Sequence, residues 1–252
     1  MKQGLGDLLK MLFVMPKTSK QVKRLKDKGY PVNNILDIIG NDDNTHTIVY
    51  TSPEFQPCSE TFSEKYAFVG PSIRPTTEEI EKKRDKLIYI SMGTVNNDMM
   101  PFYKSCISAL TKTDYQVIMS VGNLVSIEDF GRLPENISVY SHVDQIAVLE
   151  KADVFVSHCG MNSVNESLYF EVPLIMLPQT QEQKGVAERV SQLGAGIKVD
   201  KLGGVSVMTA INKILSIDTY KQNAEKIAEG FKNSSGAKGA ADKIIQVCNG
   251  MI

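Results

Sequence analysis

The stretch Val154-Phe-Val-Ser-His158-Cys-Gly160-Met-Asn162-Ser163-Val-Asn-Glu166 decides the fold. A run of buried-strand character ends at His158, and a helical pattern starts just after Gly160. A strand that passes into a helix through a glycine turn is the joint of an α/β sheet. Gly160 lets a ligand come close to the backbone. The free N–H groups of the first helical turn point at that ligand and, with the helix dipole, favour a phosphate. Asn162 and Ser163 add side-chain donors at the same end. Glu166 stands one turn beyond Ser163 on the same side, where a carboxylate suits a ribose diol. A simpler reading competes: Ser163-Val-Asn-Glu166 is a capping box that merely starts a helix.

Downstream, Pro173-Leu-Ile-Met-Leu177-Pro178-Gln-Thr-Gln-Glu182-Gln183 repeats the pattern. A second buried strand ends at Pro178, and Glu182 with Gln183 can bind several sugar hydroxyls. The competing reading is an ordinary solvated helix start. Upstream, Leu87–Met92, Gln116–Val121 and Ile137–Tyr140 read as further buried strands. Helical stretches fall between the strands: Met99–Leu110, Gln145–Lys151, Asn162–Phe170 and Glu182–Leu193. This alternation predicts a Rossmann-like α/β fold, a parallel sheet with helices on both faces, spanning Lys86 to Val199. Ligands then bind at the carboxyl ends of the strands. Three C-terminal helices follow over Val207–Leu215, Tyr220–Phe231 and Gly236–Val247.

The first 72 residues differ. Met1–Leu12 and Lys17–Lys28 read as helices, and Thr47–Tyr50 and Ala67–Val69 as strands, too little for an independent α/β domain. Polar residues 73–85 read as a linker, and residues 86–252 as the ligand-binding domain. The apolar run Leu8 to Met15 is broken by Lys10 and has no cleavage site, so it reads as a packing helix rather than a leader.

With 252 residues and a net charge of −1, the chain has no electrostatic pull toward nucleic acid or acidic lipid. No apolar run approaches the roughly 20 residues of a membrane span. The four cysteines, Cys58, Cys106, Cys159 and Cys248, suggest neither a disulfide framework nor a zinc site, and fit a cytoplasmic protein.

The segment from His158 to Gln183 resembles the signature of family 1 glycosyltransferases, which have the two-domain GT-B fold, and most of all the bacterial macrolide-type members. His158-Cys-Gly160-Met-Asn162-Ser163 with Glu166, then Pro178 and Glu182-Gln183, match it in spacing. Ser141-His142-Val143-Asp144-Gln145 is similar to the family's uracil and ribose segment. Tyr89-Ile-Ser91-Met-Gly93-Thr94 is similar to its diphosphate turn. Residues 47–57 and 68–71 resemble the end of its acceptor domain, so residues 1–72 are expected to be a remnant of that domain.

The resemblance implies a UDP-sugar donor, by default UDP-glucose, with inverting hexosyl transfer to a hydroxyl of a small molecule such as a macrolide or flavonoid. His142 would stack on the base, though imidazole stacks more weakly than the family's usual aromatic. Val143 would meet uracil through its backbone, and Gln145 would sit near the ribose. Thr94, His158, Gly160, Asn162 and Ser163 would meet the phosphates, Glu166 the ribose, and Glu182 and Gln183 the sugar. No cofactor and no metal are expected, since the sequence has no Asp-x-Asp motif.

The family's general base, a His near the front of the longer proteins, has no counterpart: His46 reads as a surface residue in a polar turn, and no catalytic base is assigned. Alternatives are a donor-binding module without transferase activity of its own, whether a truncated product or a subunit awaiting a separate acceptor-domain chain, and less readily a sugar-nucleotide epimerase.

Overall fold

The computed structural model describes residues 18–34, 37, 45–94 and 96–250. The helix expected over Met1–Leu12 lies outside them. The chain divides into two units, Met1–Thr47 and Ile48–Ile252. The described part of the first contains a helix over residues 18–27.

The second unit holds the sheet. Strands β3 (Leu87–Ser91), β4 (Gln116–Ser120), β5 (Ile137–Tyr140), β6 (Val154–Ser157), β7 (Leu174–Met176) and β8 (Gly196–Lys198) line up in the order β5-β4-β3-β6-β7-β8. Every pairing is parallel. Two shorter strands, β1 (Thr47–Val49) and β2 (Tyr66–Phe68), form a separate two-stranded sheet. The helices are α1 (Met100–Leu110), α2 (Gln145–Leu149), α3 (Met161–Tyr169), α4 (Gln181–Gln192), α5 (Gly204–Ser216), α6 (Thr219–Lys232) and α7 (Gly236–Cys248).

The period-two alternation of each strand sends residues to opposite faces and builds two cores. Ile88, Ile90, Val117, Met119, Val154 and Val156 pack with Phe102, Tyr103 and Cys106 of α1 and Val207, Ile211 and Ile214 of α5. Leu87, Tyr89, Phe155, Leu174 and Met176 pack on the other face with Val164 and Leu168 of α3, Ala187 and Val190 of α4, and Ala224 and Phe231 of α6. Burial on both faces is what makes a parallel strand read as a continuous apolar run, and all five residues of β3 are buried.

The chain enters at β3, runs outward to β5, and returns to lay β6 on β3's other side. The β3/β6 boundary is therefore the topological switch point, the place where such sheets open a crevice at their carboxyl ends.

The segment before β3 is fastened to this body. Phe55 is buried in the second core and meets Phe231 at 5.9 Å between ring centroids. Asn165 Nδ2 donates to the Tyr50 carbonyl at 2.8 Å, and Arg189 donates to the carbonyls of Phe55 and Glu54 at 2.6 and 2.7 Å. Residues 71–86 contain no helix or strand, yet they are held at several points. Lys82 pairs with Asp153 at 2.7 Å, the Lys83 N–H donates to Gln116 Oε1 at 2.6 Å, and Arg84 donates to the Thr113 carbonyl at 3.2 Å.

Candidate functional site

A cleft of about 1000 Å³ opens over the carboxyl ends of the strands. Thr94, His142, Val143, Gln145, His158, Gly160, Asn162, Ser163, Glu166 and Gln183 line it together. Of the residues proposed from sequence, Glu182 alone is not in this wall. It sits exposed in the first turn of α4.

The centre of the cleft is the turn from β6 to α3. Cys159 takes φ 67° there, a left-handed conformation uncommon for a residue with a Cβ. Its buried thiol is pushed up to about 12, which leaves it an inert packing group. Helix α3 begins at Met161 with Gly160 as N-cap, and among the described residues no side chain caps it. The N–H groups of its first turn have no intrahelical partner by construction.

The capping-box reading of Ser163 and Glu166 therefore fails, because Ser163 is already inside the helix. What remains at that end is an uncapped set of donors at the positive pole of a dipole.

The two glycines beside this turn serve His158. A Cβ built on Gly93 would stand 2.5 Å from His158 Cε1, and one on Gly160 would stand 2.7 Å from its Nε2. The imidazole is thus slotted between the β3 and β6 turns at the switch point. Gly93 also has φ 81°, which disfavours any side chain. Gly160, read from sequence as room for a ligand, first makes room for this ring. Burial pushes the His158 pKa down, so at neutral pH it is an uncharged donor, and among the described residues its buried Nδ1 has no hydrogen-bond partner.

One end of the cleft carries a linked set. Tyr89, buried on β3 and stacked on Phe155 at 4.7 Å, donates its phenol hydrogen to Gln145 Oε1 at 3.3 Å. That fixes the amide, so Gln145 Nε2 points at Glu166 Oε2 and at Ser163 Oγ, 2.5 and 3.3 Å away. Burial raises the Glu166 carboxyl above its ordinary value, partly offset by the Gln145 hydrogen bond and the nearby Arg74 charge. Sequence reading placed Gln145 and Glu166 near one ligand group but took Tyr89 only as the start of the diphosphate turn, not as the support of Gln145.

Asp144 fixes the same end. It is buried, and it caps α2 by accepting from the N–H groups of Ile146 and Ala147 at 2.9 and 3.3 Å. The Arg74 guanidinium grips its carboxylate in a fork at 2.9 and 2.6 Å, and the Thr76 hydroxyl adds a bond of 2.8 Å. Chiefly through Arg74, the Asp144 carboxyl is held down to about 2. Arg74 belongs to the stretch read as a linker, and it too lines the cleft.

The turn after β7 is built differently. Thr180 caps α4 and Gln183 completes a capping box. Thr180 Oγ1 accepts from the Gln183 N–H at 3.3 Å, and Gln183 Oε1 accepts from the N–H groups of Thr180 and Gln179 at 3.2 and 2.8 Å. Gln179 reaches back across the cleft and donates to the Asn96 carbonyl at 3.2 Å. Among the described residues no three His, Cys, Asp or Glu side chains cluster in a way that could hold a metal ion. Among them, too, no helix is long and apolar enough to cross a membrane.

The model of the erythromycin biosynthesis protein CIII-like, C-terminal domain matches residues 104–247. Among curated proteins, the chain is 36% identical over 211 residues to the uncharacterized UDP-glucosyltransferase YojK of Bacillus subtilis, covering 81% of this chain and 52% of that protein. It is 34% identical over 240 residues to the NDP-glycosyltransferase YjiC of Bacillus licheniformis, covering 92% and 60%. Among solved structures it matches the glycotransferase of kitacinnamycin with a TM-score of 0.83 and 26% identity, over 96% of this chain and 65% of that one. The chain spans about half the length of the curated relatives it matches.

Proposed function

The chain belongs to the family of erythromycin biosynthesis protein CIII-like C-terminal domains, and we propose that it is the donor-binding half of a GT-B glycosyltransferase that takes UDP and its sugar into the cleft. The observation that carries this is the turn after β6: an uncapped helix start beside a neutral imidazole slotted between two glycines, next to the Gln145–Glu166 pair. The uncapped N–H groups and His158 suit a diphosphate. The Glu166 carboxylate suits the ribose hydroxyls, and the exposed His142 with half-buried Val143 suits the base. Gln183 keeps its Nε2 for the sugar, since its Oε1 is spent on the cap.

In this reading a hexosyl group, by default glucose, passes to a hydroxyl of a small acceptor with inversion at the anomeric carbon. The C1–O bond to the diphosphate breaks as the acceptor oxygen attacks from the opposite face. Negative charge grows on the departing phosphate oxygen, which this reading sets against the α3 amides and His158 as donors preorganised for that charge. The reading needs no divalent cation. The general base and the acceptor pocket would come from the part of the longer relatives that this chain does not match.

A second reading, a donor-binding module that works only with a separate acceptor-binding chain, is favoured by the gathering of the proposed donor residues, Glu182 apart, in one cleft of the unit Ile48–Ile252. The test is calorimetric titration with UDP, followed by incubation with UDP-glucose and hydroxylated acceptors and mass spectrometry. Saturable UDP binding with no glycoside supports the module. Glycoside formation by the chain alone supports the complete transferase. No UDP binding overturns both.

A further inference from the structure

Arg74 lies in a stretch without helix or strand, 70 positions before its partner Asp144. An ordinary tie between a loop and a helix cap would sit on the outer surface. This one forms part of the cleft wall, with His142, Gln145 and Glu166 around the same end. The Asp144 carboxylate is 8% exposed and accepts from both Arg74 Nη atoms, Thr76 Oγ1 and two backbone N–H groups, so it has nothing left to offer a ligand. Its role is to hold. The Arg74 side chain, by contrast, is 54% exposed. A guanidinium has five N–H donors in a rigid plane, and the fork to Asp144 uses only two of them.

The remaining donors belong to a plane whose orientation is already fixed, so little side-chain entropy is lost when they meet a ligand. The Arg74 charge is also felt at Glu166, the carboxylate proposed to read the ribose.

We infer that Arg74 is a nucleoside contact: Asp144 holds its guanidinium in the wall of the cleft, beside the ribose and base of the donor. The inference rests on the UDP reading above. It assigns the recognition of one nucleotide to two distant parts of the chain, residues 141–166 and Arg74. A cation whose charge is already matched by Asp144 has little long-range pull on a diphosphate. Its contribution therefore comes through directed hydrogen bonds or stacking on the nucleoside.

The experiment compares the unmodified chain with Arg74→Ala and Thr76→Val, using UDP in calorimetry and uridine in ligand-observed NMR. A lost charge-assisted hydrogen bond corresponds to roughly tenfold in affinity. Arg74→Ala is expected to weaken both ligands by about that same factor, and Thr76→Val to leave both within about twofold. Should Arg74→Ala fail to fold, Arg74→Gln serves in its place, because it removes the charged fork and keeps a polar chain of similar reach. A loss confined to UDP overturns the inference, because it shows an action on phosphate charge. An equal loss in Thr76→Val overturns it too, because the effect then travels through Asp144 and the α2 cap. Unchanged affinity in Arg74→Ala also overturns it. Absence of UDP binding by the unmodified chain overturns the donor-site reading itself and this inference with it.

Discussion

The turns after β6 and β7 look alike in sequence. Each is a short apolar strand followed by polar residues and an amphipathic helix. They spend their helix ends in opposite ways. Helix α3 starts on Gly160 with no side-chain cap, whereas α4 starts on Thr180 with a complete capping box. A capping box satisfies backbone donors from within the chain, and an uncapped end leaves them for something else. The difference teaches where an anion can sit: α3 leaves its first-turn amides to the cleft, while the α4 cap takes up the Thr180 and Gln183 amides. It also separates two residues that sequence had paired. Gln183 is bound into the cap and still lines the cleft, but Glu182 stands in solvent.

The sharpest way to break this contrast is to fill the slot that holds His158. Gly93→Ala puts a methyl group 2.5 Å from the imidazole at a φ of 81°. It is expected to cost about 2 kcal/mol or more in urea unfolding and to weaken UDP in calorimetry. Gly185, in the middle of α4, has nothing within 4 Å of its added Cβ. Gly185→Ala is expected to stabilise by about 0.5–1 kcal/mol through helix propensity and leave UDP untouched. Equal behaviour of the two variants would remove the special status of the β6 turn.

A second comparison sets Glu166 against Glu182. Glu166→Ala is expected to weaken UDP by at least about tenfold, from the loss of charge-assisted hydrogen bonds. Glu182→Ala should leave UDP within about twofold. Because burial raises the Glu166 carboxyl, its ionised form is lost earlier as pH falls. UDP affinity should therefore decline at a higher pH than an exposed glutamate would give, and this decline should be absent in Glu166→Ala. A matching decline in both proteins would remove Glu166 from the ribose.

Thr180→Ala tests the closed end. It is expected to cost about 1 kcal/mol of stability without changing UDP affinity, and a large loss of UDP binding would show that the α4 amides also matter. The smallest effect concerns protons. Burial holds the free His158 neutral, and a bound diphosphate favours its charged form. UDP binding near neutral pH should then take up a fraction of a proton, read by calorimetry in buffers of different ionisation enthalpy. The uptake should vanish in His158→Asn.

Most strands were legible because burial on both faces leaves unbroken apolar runs, and β5 and β6 fall where the sequence reading placed them. Strand β8 went unread. Gly196-Ile-Lys is three residues at a sheet edge with a single large apolar side chain, and its glycine is required because a Cβ would press 2.5 Å from the Leu174 carbonyl oxygen. The cleft residues of the β6 turn were visible through local spacing. The cap was misread because Ser163 and Glu166 carry the same letters whether they start a helix or lie two residues inside it. The pairings of Arg74 and Tyr89 were invisible for a different reason: their partners Asp144 and Gln145 are 70 and 56 positions away, and no local pattern encodes such a distance.

The burial of Phe55 against Phe231, with Arg189 and Asn165 gripping the backbone from Tyr50 to Phe55, bears on the exchange of parts between relatives. A chimaera joined at β3 would strip an aromatic plug from one core and leave two side-chain clamps holding nothing. A junction placed before Ile48 carries plug, clamps and cleft across as one transplant. The natural seam for grafting this module therefore runs ahead of the plug, well upstream of the first strand of the parallel sheet.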